Sequence, residues 1–486
     1  MYYLGIDFGG GSSKATLINE KGEVITTASS EYITTYGNDG LATQKPYDWY
    51  LAAIKNIKSI LSRGINSEDI ECVCFSAATH TAVLLDGNGK VLTDSIYWTD
   101  TRSQKEKKYL LDNYKDYIFD KCKHLPDTIW TLPELMYLFN KRDDLHKKVK
   151  HVLFAKDYVR HMFSPSYVTD YIEAEGSMLF DFDKNVWDET LLSLAKLDKS
   201  MMPKVVTPTT FIGTVSEKAA KESGLSIKTK VICGTTDTAM EVFASGGVRP
   251  GNMTLKLATA GRICLISQKP YPDKNVINYS HLINGLFYPG SGTKSCAASL
   301  RWFRDTFGGD YKAFDEEAMK VNVGSDGLYF HPYLMGELTP LANPDIRGSY
   351  FGISSTHTKG HFVRSLYEGV GYSLFDCYNY LKNKGLPVSK RAYVLGGGAK
   401  GEVWRQIVSD ILDIELLVTE NNDSSFGGCL TAAVSSGVFK SFEEASDKTL
   451  KVISVTKPNS ANHQKYLELY KKYQQITEFS IKFYEK

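Results

Sequence analysis

A glycine-rich loop between two strand-like runs is the strongest constraint on how this chain folds. The run Tyr2–Ile6 leads into the loop Asp7–Lys14, and a second extended run, Ala15–Ile18, follows it. Glycines let the backbone approach an anion, and consecutive N–H groups can surround it. The loop lacks the Gly-Lys-Ser/Thr ending of a Walker A loop, and a strand rather than a helix follows it. Taken alone, such a loop can be a plain turn; what favours a phosphate-binding β-hairpin is that compatible pieces recur along the chain. The predicted phosphate contacts are Gly9, Ser12, Ser13 and Lys14. Asp7, just before the turn, is the predicted ligand of a magnesium ion.

The size and charge of the chain narrow its class. A length of 486 residues predicts two domains. The formal net charge of +1, from 57 basic and 56 acidic residues, gives no general attraction to nucleic acid or to an anionic membrane. The N-terminal residues do not resemble a secretion signal, and the 8 cysteines form no Cys-x-x-Cys pair. We therefore expect a cytoplasmic protein with reduced thiols and with neither a nucleic-acid nor a membrane partner.

Short apolar runs alternate with helical patterns along the chain. Glu71–Ser76 and Lys230–Gly234 end in small residues, as buried strands that lead into loops do. The predicted helices are Pro46–Arg63, Leu132–Asn140, Ala155–Phe163, His361–Lys382 and the tail at about 462–486. This mixture predicts an α/β architecture.

The strand-turn-strand pattern recurs in the second half of the chain. Met253–Leu257 leads into the small-residue turn Ala258–Arg262, and Ile263–Ile266 follows. A glycine-containing stretch before this hairpin places the boundary near residue 246, so the predicted domains are residues 1–245 and 246–486. Two halves that each begin with such a hairpin suggest a duplicated fold that closes over one nucleotide.

Seven short motifs, in their order along the chain, resemble those of the FGGY carbohydrate kinases, a family of the actin and hexokinase type. They are Asp7–Lys14, Trp98–Arg102, Ala155–Arg160, Gly234–Thr238, Thr259–Gly261, Pro332–Pro340, and Gly396–Lys400 with Trp404–Gln406. The resemblance covers almost the whole chain. It implies two similar ribonuclease H-like domains with mixed sheets flanked by helices and an active-site cleft between them. It also implies an ATP-dependent sugar kinase that uses Mg²⁺, and it leaves a homodimer open.

Asp237 is the predicted catalytic base. It follows a buried strand and precedes a predicted helix, Thr238–Ala244, so its carboxylate would stand at the carboxyl end of a strand, where α/β folds place their sites. The alternative is that Asp237 only caps the helix. The resemblance favours the base, and the two roles do not exclude each other. A kinase otherwise supplies positioning, a magnesium ion and charge neutralisation.

The sugar site is predicted from Phe75–Thr81, which leaves a buried strand and presents polar side chains. The predicted sugar contacts are Thr79, His80, Asp100, Asp237 and Thr238. The alternatives are a structural role for His80 and an ion pair between Asp100 and Arg102. Paired polar groups suit a sugar, because unmet hydrogen bonds in a closed site penalise the wrong substrate.

The nucleotide-binding site is predicted from Gly396–Gly398. This segment ends a strand and precedes a helix that carries Trp404. By resemblance, the predicted nucleotide contacts in this half are Thr259, Gly261, Gly292, Lys294, Gly397 and Gly398. A glycine triplet can serve for turning alone, and Thr259 can be a plain hairpin residue.

Some positions depart from the family pattern. Gly10-Gly11 stands where many members have Thr-Ser, Thr238 stands where xylulokinases commonly have Asn, and Thr79 replaces a Met. These changes bear on substrate and rate more than on fold. The leading prediction is transfer of the γ-phosphoryl group of ATP to D-xylulose, which gives D-xylulose 5-phosphate. The alternatives are a gluconate kinase, another ketose or polyol kinase of the same family and, in another class, a sugar-sensing protein that binds without efficient transfer.

Overall fold

The computed structural model of the protein describes residues 1–485. Its strands are β1 Tyr2–Phe8, β2 Ser12–Asn19, β3 Val24–Glu31, β4 Thr34–Tyr36, β5 Ala42–Gln44, β6 Ile70–Ala77, β7 Ala82–Leu85, β8 Ser95–Ile96, β9 His151–Phe154, β10 Val168–Asp170, β11 Phe180–Asp181, β12 Val186–Trp187, β13 Lys204–Val206, β14 Phe211–Thr214, β15 Lys230–Ile232, β16 Thr235–Thr236, β17 Met253–Leu257, β18 Gly261–Leu265, β19 Gly290–Thr293, β20 Tyr329–His331, β21 Ser349–Phe351, β22 Arg391–Leu395, β23 Glu415–Thr419 and β24 Val452–Thr456. Its α-helices are α1 Pro46–Leu61, α2 Gln104–Asn113, α3 Lys115–Cys122, α4 Thr131–Lys141, α5 Asp143–His146, α6 Ala155–Phe163, α7 Tyr171–Gly176, α8 Glu189–Leu194, α9 Glu217–Ser223, α10 Asp237–Ala244, α11 Ala297–Phe307, α12 Tyr311–Ala318, α13 Lys359–Asn383, α14 Glu402–Leu412, α15 Ser424–Ser435, α16 Phe442–Thr449 and α17 Ser460–Tyr484. None of the helices within residues 1–485 is long and apolar enough to cross a lipid bilayer.

The chain forms two compact units. The first comprises Met1–Ala244 with two later stretches, Tyr279–Gly285 and Asn421–Thr449. The second comprises Ser245–Asn278, Leu286–Glu420 and the chain from Leu450 onward. The predicted division into residues 1–245 and 246–486 stays a prediction; the two compact units interleave along the sequence.

A close approach of two glycines brings α15 onto the sheet of the first unit. A side chain at Gly5 of β1 would place its Cβ 2.0 Å from the carbonyl oxygen of Ser425. Gly428 of α15 lies against the same point, since its own Cβ would come within 3.3 Å of the Gly5 Cα. The missing side chains let the helix pack directly on the strand, so a segment near the end of the sequence completes the first unit.

The central sheet of the first unit is mixed. Its strand order is β14-β15-β6-β1-β2-β3, and the short strand β16 also pairs with β6. Strand β2 runs antiparallel to both β1 and β3, whereas β6 runs parallel to β1 and to β15. In the register of the first hairpin, Asp7 lies opposite Lys14. Side chains opposite each other lie on the same face of a sheet, so this acid and this base share a face.

The sheet of the second unit repeats this plan. Its strand order is β19-β18-β17-β22-β23-β24. Strands β17, β18 and β19 are antiparallel, β22 is parallel to β17 and to β23, and the edge strand β24 is antiparallel. The predicted α/β fold with two similar mixed sheets is therefore confirmed.

Helices with one apolar face cover these sheets. In α1 the buried residues Trp49, Ala53, Ile57 and Ile60 recur at helical spacing. In α13 the buried residues Leu366, Val370, Leu374 and Cys377 recur at the same spacing. Full burial of one such Leu or Ile side chain contributes about 1.5–3 kcal/mol. The predicted helix Ala155–Phe163 matches α6 at both ends.

Candidate active site

The first hairpin turn is held by hydrogen bonds to its carbonyl groups. The Gly9 N–H donates to the Ser12 carbonyl oxygen at 3.0 Å, which closes the turn. The carbonyl oxygens of the three glycines accept from residues that follow on the chain: Gly9 from the Tyr32 hydroxyl at 2.5 Å, Gly10 from the Gln44 amide at 3.2 Å and from the Thr34 hydroxyl, and Gly11 from the Tyr32 N–H at 3.1 Å. Because C=O and the next N–H point in opposite directions across a trans peptide, the N–H groups of Gly10, Gly11 and Ser12 face away from these partners. A Cβ at Gly11 would meet nothing within 4 Å, so the space beside Gly11 is open, whereas a Cβ at Gly10 would lie 2.9 Å from the Tyr97 hydroxyl.

Side chains alternate in direction along β2, and this separates the predicted phosphate contacts. Ser12 is exposed, whereas Ser13 is fully buried and accepts a hydrogen bond from the Asn56 amide at 3.2 Å. The Ser13 hydroxyl therefore faces α1 and not the turn. Lys14 points to the opposite face of β2, where its ammonium lies 2.7 Å from the carboxylate of Asp423.

Asp7 lies near the end of β1, and Asp237 directly follows β16; both strands pair with β6. Asp7 accepts a hydrogen bond from the Ser76 hydroxyl at 2.6 Å. Burial, and next the neighbouring carboxylate of Asp237, hold the pKa of Asp7 well above its usual range, with smaller contributions from Glu241 and Asp423. This excess of negative charge suits a divalent cation, and one carboxylate beside phosphate oxygens is a common way to hold Mg²⁺. Within residues 1–485, no group of three or more His, Cys, Asp or Glu side chains has the arrangement of a metal site.

Asp237 is the first residue of α10, but Thr236 supplies the cap. The Thr236 hydroxyl accepts from the Ala239 N–H at 3.4 Å, as an N-cap side chain does. The Asp237 carboxylate accepts from the N–H of Thr238 at 2.6 Å and from its hydroxyl at 3.2 Å. Asp237 is half-buried at the carboxyl end of β16, so the local structure leaves it a role beyond capping.

The backbone of the predicted sugar segment, Phe75–Thr81, has an unusual conformation at His80. His80 has a φ of 78°, a left-handed value that is uncommon outside glycine. Its N–H donates to the Glu173 carboxyl at 3.0 Å, and its carbonyl accepts from the Thr131 hydroxyl at 2.7 Å. Helix α7 packs closely here, since a Cβ at Gly176 would lie 2.4 Å from Cγ2 of Thr79.

The His80 ring is also held on both sides. Nδ1 lies 2.7 Å from the carbonyl oxygen of Ile129, which can only accept, so Nδ1 carries the hydrogen. In the neutral ring Nε2 then accepts from the Tyr279 hydroxyl at 2.8 Å. The ring stacks on Trp130 at a centroid distance of 4.6 Å. Any contact between His80 and a sugar is therefore oriented by three partners that the sequence did not point to.

Asp100 forms the ion pair that was the alternative to sugar binding. Its carboxylate lies 2.8 Å from the Arg102 guanidinium and also accepts from the Ala42 N–H at 2.8 Å. Only 2% of the Asp100 side chain is exposed. Both oxygens have partners within the protein, so a direct sugar contact by Asp100 stays a prediction.

The second hairpin turn lies against the start of a helix. The carbonyl oxygens of Ala258 and Thr259 accept from the N–H groups of Ala297 and Cys296 at 2.7 and 3.0 Å. The Thr259 hydroxyl accepts from the Arg301 guanidinium at 2.7 Å. The positive end of the α11 dipole and the Arg301 charge both favour an anion beside this turn.

A cavity of about 680 Å³ opens next to this turn within the second unit. It is lined by Ala258, Thr259, Ala297, Leu300, Arg301, Tyr311, Asp315, Tyr367, Gly397, Gly398, Lys400, Gly401 and Trp404. Trp404 stacks on Tyr367 at 4.9 Å and forms an aromatic wall, while a Cβ at Gly397 would meet nothing within 4 Å. The volume and the mixture of aromatic, glycine and cationic groups suit a nucleotide.

Three other predicted nucleotide residues lie behind the turn and do not line the cavity. The Gly292 N–H donates to the Thr339 hydroxyl at 2.8 Å, and the Lys294 N–H donates to Glu337 at 3.0 Å. Gly261 is buried, and its Cβ would lie 2.9 Å from the Thr293 side chain. These residues shape β18 and β19, and their contact with a nucleotide stays a prediction.

Comparison with known proteins agrees with this geometry. Residues 2–244 match the family model for the N-terminal domain of the FGGY family of carbohydrate kinases, and residues 265–436 match that for its C-terminal domain. The chain is 29% identical to the xylulose kinase of Bacillus subtilis over 98% of this chain and 96% of that protein. It is 30% identical to the gluconokinase of the same organism over 92% of this chain and 90% of that protein.

Solved structures share the fold. A ligand-bound xylulose kinase from Lactobacillus acidophilus superposes with a TM-score of 0.92 at 23% identity and covers 99% of both chains. A gluconate kinase from the same organism gives a TM-score of 0.91 at 23% identity, over 98% of this chain and 97% of that one. The actin/hexokinase-type fold predicted from the motifs is therefore confirmed.

Proposed function

Because the chain belongs to the FGGY family of carbohydrate kinases, we propose that it transfers the γ-phosphoryl group of ATP to a hydroxyl of D-xylulose, which gives D-xylulose 5-phosphate. The observation that carries the proposal is the pair of carboxylates, Asp7 and Asp237, beside a glycine turn with open space at Gly11. The curated xylulose kinase relatives, which align over nearly the full chain, support the choice of sugar.

Asp237 acts as the general base in this proposal. It stands half-buried at a strand end, and the Thr238 N–H orients its carboxylate. The carboxylate takes the proton from the attacking sugar hydroxyl as the bond to phosphorus forms. Thr79, His80 and Thr238 orient the sugar, and Tyr279 keeps the His80 ring in one tautomer.

Asp7 would hold Mg²⁺, directly or through water. The bound ion would neutralise charge on the phosphate oxygens. On the protein side, the N–H groups of the first turn and the charge of Lys14 favour an anion, while Asp423 restrains the lysine. The second turn, with Thr259 and Arg301, and the glycines Gly397 and Gly398 bind ATP through the cavity described above.

A gluconate kinase stands second, because the gluconokinase of Bacillus subtilis aligns over a smaller share of the chain than the xylulose kinase of the same organism. The free and buried state of all eight cysteines supports a cytoplasmic location, and a homodimer stays a prediction.

A coupled ADP-release assay tests the proposal over D-xylulose, L-xylulose, D-ribulose, L-ribulose, gluconate and glycerol. The variant Asp237→Asn should lower turnover of the preferred sugar by about 10²–10⁴-fold. Asp116→Asn, which removes an exposed carboxylate of α3, is the matched control and should keep full activity. Turnover of gluconate alone would move the proposal to the second candidate. If no sugar raised ADP release above the Asp237→Asn background, a sugar-sensing protein would be the better account.

A further inference from the structure

A buried ion pair lies directly behind the segment that carries Asp237. The carboxylate of Asp170, at the end of β10, accepts a hydrogen bond from the Thr235 hydroxyl at 2.6 Å. The ammonium of Lys156 lies 2.8 Å from the same carboxylate, and both side chains are 0% exposed. Thr235 stands two residues before Asp237, next to the cap residue of α10. The contact therefore fixes the point at which α10, and with it the base, begins.

The same carboxylate organises the sugar segment through α7. Asp170 is the N-cap of α7 and accepts from two backbone N–H groups of its first turn, at 3.0 and 3.3 Å. One turn of this helix places Glu173 against the N–H of His80 and Gly176 against Thr79. A shift of Asp170 would displace α7 and, through it, the strained backbone of His80.

We propose that Asp170 is a positioning residue that sets the base segment and the sugar segment at a fixed separation. The inference rests on the proposed sugar kinase activity and adds a residue that touches neither substrate. One buried carboxylate bonds to Thr235 on one side and to the start of α7 on the other, so neither segment can shift alone. Phosphoryl transfer needs reacting atoms about 3–3.5 Å apart, and misplacement by about 1 Å can cost 10²-fold in rate.

The charge state of the pair supports this role. Burial lowers the pKa of Lys156, but the carboxylates of Asp157 and Asp170 outweigh it and hold that pKa above its usual value. Lys156 is thus cationic and lies 2.8 Å from the Asp170 carboxylate, whose oxygens can accept several hydrogen bonds at once. Buried pairs of this kind contribute little net stability compared with apolar residues, so a role in fixing geometry accounts better for the pair.

The variant Thr235→Val tests the proposal because it removes one hydroxyl and keeps the side-chain shape. We expect kcat to fall about 10- to 100-fold, while the thermal midpoint and the sugar dissociation constant from calorimetry stay near those of the wild type. Thr235→Ser should restore kcat to within about 3-fold. Thr169→Val is the matched control: this neighbouring hydroxyl on β10 is equally buried and has no hydrogen-bond partner, so its loss should leave kcat unchanged.

The sugar side has its own pair of variants. Glu173→Gln keeps an acceptor for the His80 N–H and should bind sugar like the wild type. Glu173→Leu removes the acceptor and should raise the sugar dissociation constant about 10-fold with a smaller change in kcat.

The outcomes separate the two levels of inference. Equal kcat in Thr235→Val and Thr169→Val, with normal turnover in the wild type, would overturn the positioning role alone. Absence of ADP release by the wild type with every sugar of the panel would overturn the proposed function and the positioning role with it.

Discussion

The sheets of the two units share one strand arrangement, but the side chains at their strand ends differ. Each sheet places an antiparallel hairpin beside a parallel strand, in the same order of strand directions. The turn of the first hairpin follows Asp7, whose pKa is raised by burial and by the nearby Asp237. The turn of the second hairpin instead has Thr259, bonded to Arg301, at the start of α11. In the proposed function, the side chains at the strand ends, and not the fold, give the metal and proton chemistry to the first unit and the cationic nucleotide contact to the second.

The largest effect in this comparison should follow from removing the acid that precedes the first turn. Asp7→Asn removes the proposed metal ligand and should lower kcat about 100-fold, because the bound ion contributes several kcal/mol of charge stabilisation. The Mg²⁺ concentration that gives half-maximal activity should rise in the same titration. A variant with wild-type Mg²⁺ dependence would remove Asp7 from the metal site.

A smaller effect, on stability, is expected from a substitution beside the nucleotide cavity. In Gly398→Ala the new Cβ would lie 2.9 Å from both the Leu257 carbonyl oxygen and the Trp404 ring. The overpacking should destabilise the second unit by about 1–3 kcal/mol, measured by urea unfolding followed by circular dichroism. Gly397→Ala is the control for stability, since its Cβ meets nothing within 4 Å. Equal stability of the two variants would contradict the packing described here.

A substitution at the second turn should change the affinity for ATP. Arg301→Gln removes the charge and weakens the bond to Thr259, so KM for ATP should rise about 10-fold while KM for the sugar stays near its wild-type value. The control is Arg304→Gln on the same helix, because Arg304 pairs with Asp305 instead. A rise in the sugar KM alone would reverse the assignment of the two units.

The last effect concerns the pH dependence of stability in the unit that carries the predicted sugar site. Burial raises the pKa of Glu175 to about 8, against the hydrogen bonds from Ser280. The folded protein therefore keeps a proton that the unfolded chain loses above its ordinary pKa of 4.5. The stability this proton supplies is complete below pH 4.5 and is lost as pH rises toward 8, by at most about 1.4 kcal/mol per pH unit. In Glu175→Gln the loss should be absent, so thermal midpoints of the variant and the wild type should diverge between pH 5 and 8. Parallel pH profiles would show that Glu175 is ionised.

Short sequence patterns predicted much of the fold and part of the candidate site. The two hairpins, α6 and the position of Asp237 at a strand end all follow from short patterns, because turns, periodicity and strand ends are local features. The inward direction of Ser13 was also readable, since it shares a strand face with the apolar Ala15 and Leu17.

The rest of the site depends on contacts between distant segments. Tyr279 reaches His80 across 199 positions of sequence, and Ser280 reaches Glu175 across 105. Neither residue belongs to a motif, so no spacing rule connects them. Tertiary packing of Tyr279–Gly285 in the first unit creates these pairs.

Separating binding from turnover in Asp237→Asn tests the central claim most directly. The dissociation constants of D-xylulose and of a non-hydrolysable ATP analogue would be measured by calorimetry, beside the single-turnover rate of ADP formation with ATP. We predict both dissociation constants within about 3-fold of the wild type and a single-turnover rate lower by about 10²–10⁴-fold. A rate close to that of the wild type, or a loss of sugar binding that accounts for the whole loss of rate, would contradict the assignment of Asp237 as the base.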